Sequence, residues 1–371
     1  MTDVAAWILH PLPPPTAGPL VRWVTDERAA IAERHRVGFE RAGAAVARIV
    51  AGPPDDTPFG ARLRALVTGD GTVKAPGGAI VLGSGAAPLA LLADRRAFVE
   101  TAAAPRPVAL ANNRFSADIV AIACAERLAG LPDLPADNAL PRWLDEVAGY
   151  EVSDLRRRWR LAIDVDGPLD LLFVDGPEAM DRAGRRGIDL GPVNDRLAAV
   201  TSAGRDRRAE VLVSGRTSAA AVARLERGFA ARVRALVEER GMRAASRLAQ
   251  TPGDGPGTRT SIEPRPPASV LGLLLDRDGP GSLGLHLARL ADAALVDSRV
   301  LLAHHFGPDE RSWPVAGDRF ASDLLLVEDI ADPWLRELTD AARSAAIPVV
   351  LGGHTLVGPG LWRLAGSRSW S

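Results

Sequence analysis

The sequence predicts an α/β protein, Rossmann-like, with mainly parallel sheets covered by helices on both faces, and three observations carry that expectation. Short apolar runs alternate with helical segments through the first half, the pattern of strand–helix–strand units. The stretch GGAIVLGSGAAPL (Gly77–Leu89) reads as a strand feeding a turn of small residues and then a helix start. A second α/β pattern begins at Ala209. With 371 residues the chain can form two domains of ordinary size. They are expected at residues 1–180 and 209–371, joined by a segment at 181–208.

In chain order, Trp7–Leu9 reads as a first strand, followed by the proline-rich turn Pro11–Pro19. Thr25 suits an N-cap, Asp26 and Glu27 favour the dipole of the first turn, and Gly43 closes this helix. Val46–Val50 is the next strand, and Thr57 then caps a helix with Pro58 at its first position, where a missing N–H costs nothing. Ala79–Leu82, Pro107–Leu110 and Arg160–Ile163 supply further strands. Helices are expected at Leu89–Ala103, Ser116–Ala129 and Leu140–Val147, although the apolar run within 117–125 reads equally as a strand. Residues 175–208 are polar and helical in part. Glu210–Val213 then forms a strand, Ser214–Arg216 a turn, and Thr217–Arg240 a long helix stopped by Gly241. Thr251–Pro267, dense in Gly and Pro, is a flexible loop. Val270–Leu275, Ala293–Ala303 and Ile347–Leu351 complete the expected strands.

Composition narrows the function. Hydrophobic residues make up 47% and charged residues 25%, the balance of a globular protein. A net charge of −1 gives no general attraction to nucleic acid or to an anionic membrane, so neither is an expected partner. No apolar run nears the roughly 20 residues of a membrane helix. The N-terminus places an acidic residue before its short apolar run and has no basic stretch, which argues against a secretory signal. Cys124 is the only cysteine; this excludes an intrachain disulfide or thiolate metal cluster and fits a cytoplasmic location. Lys74 is the only lysine among 45 Lys and Arg residues, so there is no Gly-Lys-Ser/Thr and hence no P-loop.

Residues that carry chemistry collect at the expected strand ends. Gly83, Ser84 and Gly85, in the loop through Ala87, offer backbone N–H groups where α/β proteins receive anions. The glycines serve a tight turn equally well. Asn112 and Asn113 follow a strand and so lie at the same sheet edge, either reading a base or sugar hydroxyl or acting as turn and cap residues. Asp137 and Asn138 read as caps of the next helix, and Arg156–Arg158 as a solvated helix face. Asp164 and Asp166 alternate on a strand end and share a face. Paired carboxylates there are costly unless solvated or bound to a cation, so they read as a metal site or as part of an Asp-Gly-Pro turn.

The segment LAIDVDGPLDLLFV (Leu161–Val174) resembles the D-x-D-T-P-x-D-L signature of GT-A-type nucleotidyltransferases, such as the molybdenum-cofactor nucleotidyltransferases and phospholactate guanylyltransferases. Asp164, Asp166, Pro168, Asp170 and Leu171 match, and Gly167 stands where the family has threonine. Upstream, AIVLGSGAAPLALLADRRAFVE is similar to the family's strand, Gly-Asp-x-Pro-Leu element and helix, with Gly83–Ala87 in place of the aspartate. The family's N-terminal phosphate loop is matched by ILHPLPPPTAGPLVRW, where Gly18 and Arg22 remain. The resemblance covers residues 4–174. It implies a nucleotide or phosphorylated metabolite as ligand and Mg²⁺ held by Asp164 and Asp166 beside its phosphates. With two of the family's elements altered, it implies either a transferase or a relative that binds without transferring.

No family pattern is evident in residues 205–371, which hold four of the six histidines: His286, His304, His305 and His354. His354 follows Ile347–Leu351 after Gly352 and Gly353, which presents the imidazole at a strand end. With Asp297 and Arg299 it forms a candidate acid/base or phosphate site, the catalytic residues of an alternative hydrolase or transferase. Asp318, Arg319 and Asp323 are further polar residues there, and Ser214–Ser218 is a second strand–turn–helix. A third reading is a scaffold or homo-oligomer packing through the apolar segment 356–370.

Overall fold

The computed structural model describes residues 3–69, 77–238 and 268–366; Lys74, the last residues of the expected 217–240 helix and the loop 251–267 lie outside them. Two compact units divide the chain after Asp166, so residues 167–180, expected with the first half, belong to the second unit. Both units are α/β. No described helix is long and apolar enough to cross a membrane.

The first unit is built from β1 (Val4–Pro11), α1 (Pro19–Ala42), β2 (Val46–Gly52), α2 (Phe59–Thr68), β3 (Gly78–Gly83), α3 (Leu92–Ala102), β4 (Val108–Ala111), β5 (Ile119–Ala123), α4 (Leu140–Glu146) and β6 (Glu151–Asp154). These strands form a six-stranded sheet in the order β2-β1-β3-β5-β4-β6. It is mixed: β5 runs antiparallel to both neighbours, and the other pairs are parallel. Alternate residues of β1 explain the layers. Val4, Ala6 and Ile8 pack with Ala32, Phe39, Phe98 and Val99 of α1 and α3, while Ala5 and Trp7 pack with Leu63, Val67 and Leu144 of α2 and α4.

Two sequence expectations change here. Ser116–Ala129 is not a helix but β5 followed by a short 3₁₀ turn at Ala125–Gly130. All five residues of β5 are buried, and a run without a polar face suits a covered strand rather than a surface helix. Arg160–Ile163 is not a strand. A 3₁₀ turn spans Trp159–Leu161, and Asp164 forms an isolated antiparallel bridge with Ala86.

The second unit begins with α5 (Pro168–Asp175), α6 (Pro177–Gly184) and α7 (Gly191–Arg205). It continues with β7 (Glu210–Gly215), α8 (Ala219–Gly228), β8 (Arg232–Val237), α9 (Val270–Asp278), α10 (Leu283–Ala288), β9 (Ala293–Asp297) and α11 (Ser298–Phe306). It ends with α12 (Ala316–Asp323), α13 (Pro333–Arg343), β10 (Val349–Gly352), α14 (His354–Val357) and α15 (Gly360–Leu364). Its four-stranded sheet is parallel throughout, in the order β10-β9-β7-β8. The long helix expected from Thr217 stops at Gly228, packed so closely on Ala365 that a Cβ there would lie 2.4 Å from its side chain; the chain then returns as β8. Val270–Leu275 is helical because the Ser269 hydroxyl accepts from Gly272 N and caps α9. The run from Ala293 is strand only as far as Asp297, whose carboxylate accepts from Arg299 N and starts α11.

Candidate functional site

In the first unit the chain passes from β1 outward to β2 on one side and then to β3 on the other. Such a reversal of strand order opens a crevice beyond the carboxyl ends of the strands. A pocket of about 590 Å³ lies there, lined by the ends of β1, β2 and β3 and by α2. Leu9, Val50, Phe59 and Val81 supply apolar wall, and Asp55, Asp118 and Asp137 supply carboxylates. Because β5 is antiparallel, the residue preceding it, Asp118, enters the edge where the other strands finish.

Asn112 holds Asp118 in place. Its Nδ2 donates to Asp118 Oδ2 at 2.8 Å and to Leu161 O at 3.0 Å, and its Oδ1 accepts from Asp118 N and Ile119 N. Burial, with Asp137 and Asp166 adding repulsion against the pull of Asn112, pushes the Asp118 carboxyl up to about 7. Burial raises Asp137 as well, aided by Asp166 and opposed by the Asn138 N–H. On the other wall His10 is buried, its Nδ1 3.1 Å from Ser84 Oγ. Burial, then repulsion from Arg28, lowers its pKa and keeps the ring neutral. Arg62, the one guanidinium of the lining among the described residues, is paired with Asp55 at 2.6 Å.

The loop after β3 has another role than the one the sequence invited. Gly83 lines the pocket, but the N–H groups of Gly83, Ser84, Ala86 and Ala87 donate to Asp118, Leu9, Gly83 and Ile163 carbonyls. The amides are spent on the fold rather than held out to an anion. Gly85 is required by crowding: a Cβ would lie 2.8 Å from Val165 O and 3.0 Å from Asp164 Oδ1. At the start of α3 the Asp94 carboxylate accepts from Leu91 N, which places an acid where an anionic ligand would otherwise dock. Asn113 closes a turn by accepting from Phe115 N. Asn112 and Asn113 therefore brace the edge.

Asp164 and Asp166 flank the buried Val165. Arg28 crosses to them, donating through Nε to Val165 O at 2.5 Å and pairing with Asp166 at 3.4 Å. Among the described residues no group of three or more His, Cys, Asp or Glu side chains stands together so as to hold a metal ion. With Asp166 engaged by a guanidinium, this donor set does not fit a resident Mg²⁺.

The second unit has its own reversal, beside β7, and the expected residues of that half do meet. The Arg216 guanidinium grips the buried Asp297 with Nε–Oδ2 2.6 Å and Nη2–Oδ1 3.1 Å. Gly215, at φ +124°, allows this approach, since a Cβ there would lie 2.2 Å from that of Asp297. Burial presses the Asp297 carboxyl upward, but Arg216, His354 and Arg299 outweigh it and leave the acid below the usual range. His354 Nδ1 lies 3.0 Å from Arg216 O, which places the proton on Nδ1 and makes Nε2 the basic nitrogen. Arg299 turns instead to Asp323, two contacts of 2.6 Å.

The other histidines and acids of this half are braces. His304 links Ser269 N to Asp276, His305 stacks on Trp334 at 4.3 Å, and Asp318 accepts from Ala331 N and Asp332 N. Sequence reasoning found His354 and Asp297 but missed Asp118, hidden in a segment read as helix, and His10. The strand reading that the run 117–125 equally allowed would have placed Asp118 at a strand end. Compared with family models, with curated proteins and with solved structures, the chain matches none of them.

Proposed function

We propose that the first unit binds a nucleotide or nucleotide-linked metabolite in the pocket at the ends of β1–β3, as a nucleotidyltransferase-like protein or a relative that binds without transferring. The pocket's position at the strand-order reversal carries this reading. Its volume, about 590 Å³, suits a ligand of that size. The Leu161–Val174 resemblance supports the same class. At the same sheet edge the exposed Phe115 ring has Arg114 at 5.7 Å and Arg156 at 5.3 Å, paired with Asp145 and Asp154 respectively, and offers an aromatic surface outside the acidic pocket.

Thermal unfolding of the full chain with ATP, GTP, CTP, UTP and UDP-glucose tests the proposal. A ligand present at a hundred times its Kd stabilises by about 2.7 kcal/mol, a rise in Tm of several degrees. No shift with any of them would overturn it.

A second reading rests on the Arg216–Asp297–His354 arrangement. There the basic Nε2 of His354 serves a hydrolase or transferase in the second unit. Hydrolysis of p-nitrophenyl acetate or phosphate should then fall at least a hundredfold in His354→Gln; equal turnover by the variant removes this reading.

A further inference from the structure

We propose that the group seated in the first unit's pocket is a protonated primary amine rather than a phosphate. This rests on the pocket as the ligand site and names the chemistry it selects. Among the described residues three carboxylates line it, Asp55, Asp118 and Asp137, against one guanidinium, Arg62, which is paired with Asp55. His10 adds no positive charge, because burial and Arg28 keep it neutral. Among the described lining residues, an entering anion would therefore meet Asp118 and Asp137 without an unpaired cation.

The two acids are half-buried, and each keeps one oxygen without a donor from the described residues. Asp118 receives Asn112 on Oδ2, and Asp137 receives Asn138 N on Oδ1 at 2.8 Å. Among the described residues Asp118 Oδ1 and Asp137 Oδ2 accept no hydrogen bond. They act on each other electrostatically, and Asp166, the further acid facing them, is itself paired with Arg28. Burial, with this repulsion added, holds Asp118 near 7. An ammonium group supplies that charge and several N–H donors at once, and the body that carries it packs on Leu9, Val50, Phe59 and Val81. A bare cation would leave this apolar wall uncovered. An amine-bearing metabolite, its phosphates lying outward, uses both.

Matched pairs that differ in one group test the inference: UDP-glucosamine against UDP-glucose, and 2-phenylethylamine against 2-phenylethanol, each titrated calorimetrically into the full chain at pH 7. The amine of each pair should bind about tenfold more tightly or better, the scale of a hydrogen-bonded charge. That advantage should vanish in Asp118→Asn/Asp137→Asn. The double variant should unfold at the same or a higher temperature than the parent above pH 7, since it removes two half-buried, mutually repelling charges that oppose folding when ionised. Equal binding within both pairs overturns the amine and leaves nucleotide binding standing. Binding of 2-phenylethylamine with neither UDP compound overturns the nucleotide reading and keeps the amine. An advantage that survives in the double variant, or no binding by any of the four, refutes the inference. The wild-type pairs decide even where the variant fails to fold.

Discussion

Asp323→Ala is expected to cost the second unit about 3–5 kcal/mol, because it strands Arg299 in the interior. The two side chains are 8% and 2% exposed and meet through two contacts of 2.6 Å. Burial works against the Arg299 charge, yet Asp323 outweighs it and the guanidinium stays ionised. Without its partner it keeps the full desolvation penalty. Urea denaturation of the full chain, followed by tryptophan fluorescence, measures the loss through Trp313, Trp334 and Trp362 of this unit. A companion variant, Arg299→Met/Asp323→Leu, should recover much of it, because no charge is then left buried. A loss under about 1 kcal/mol in the single variant would show that the pair is solvated and separable.

Asp94→Ala should be the most damaging change in the first unit, at about 3 kcal/mol or more. The carboxylate is fully buried and accepts from Leu91 N, from Arg158 and from both Nε and Nη2 of Arg160 at 2.7–2.9 Å. Its removal uncaps α3 and leaves two guanidinium groups without their acceptor. Burial raises this carboxyl, but Arg160, the Leu91 N–H and Arg158 together hold it below its usual value. A folded pKa below the unfolded one means that its stabilisation is in force above about pH 4 and fades as pH falls through the folded value. The gap between parent and variant in urea midpoints should therefore be full at pH 7 and narrow at pH 3. A gap independent of pH would contradict the ionic account.

How far these features could be read from the sequence depended on whether local signals agreed with tertiary ones. Strand ends marked by glycine, such as Gly83 and Gly352, were legible, and so was His354 beyond one of them. Leu140–Glu146 and the strands at Val46 and Glu210 followed from periodicity and flanking residues. The apolar run at 119–123 was read as helix or strand alike and that at 270–275 wrongly as strand, since a buried strand and a buried helix turn share one composition. One became a strand by pairing with β3 and β4, the other a helix by the Ser269 cap. The acidic wall of the pocket was illegible for the same reason. Asp118 and Asp137 share it only once β5 is known to run against its neighbours. The small-residue loop 83–87 misled in the opposite direction, since the amides of Gly83, Ser84 and Ala87 donate to carbonyls distant in sequence.

That one reversed strand also bears on the order in which the first unit can assemble. β4 and β5 are joined by the seven residues 112–118, whereas β1 must wait for whole helices before meeting β2 or β3. Chain entropy lost on closing a short loop is smaller than on closing a crossover, so the β4–β5 hairpin is the cheapest strand pairing of the unit. Asn112 and Asp118 sit at the two ends of that loop, tied to each other by side chain and backbone. The carboxylate that faces the pocket is thereby fixed by a local clasp, one whose formation draws on no other strand of the sheet.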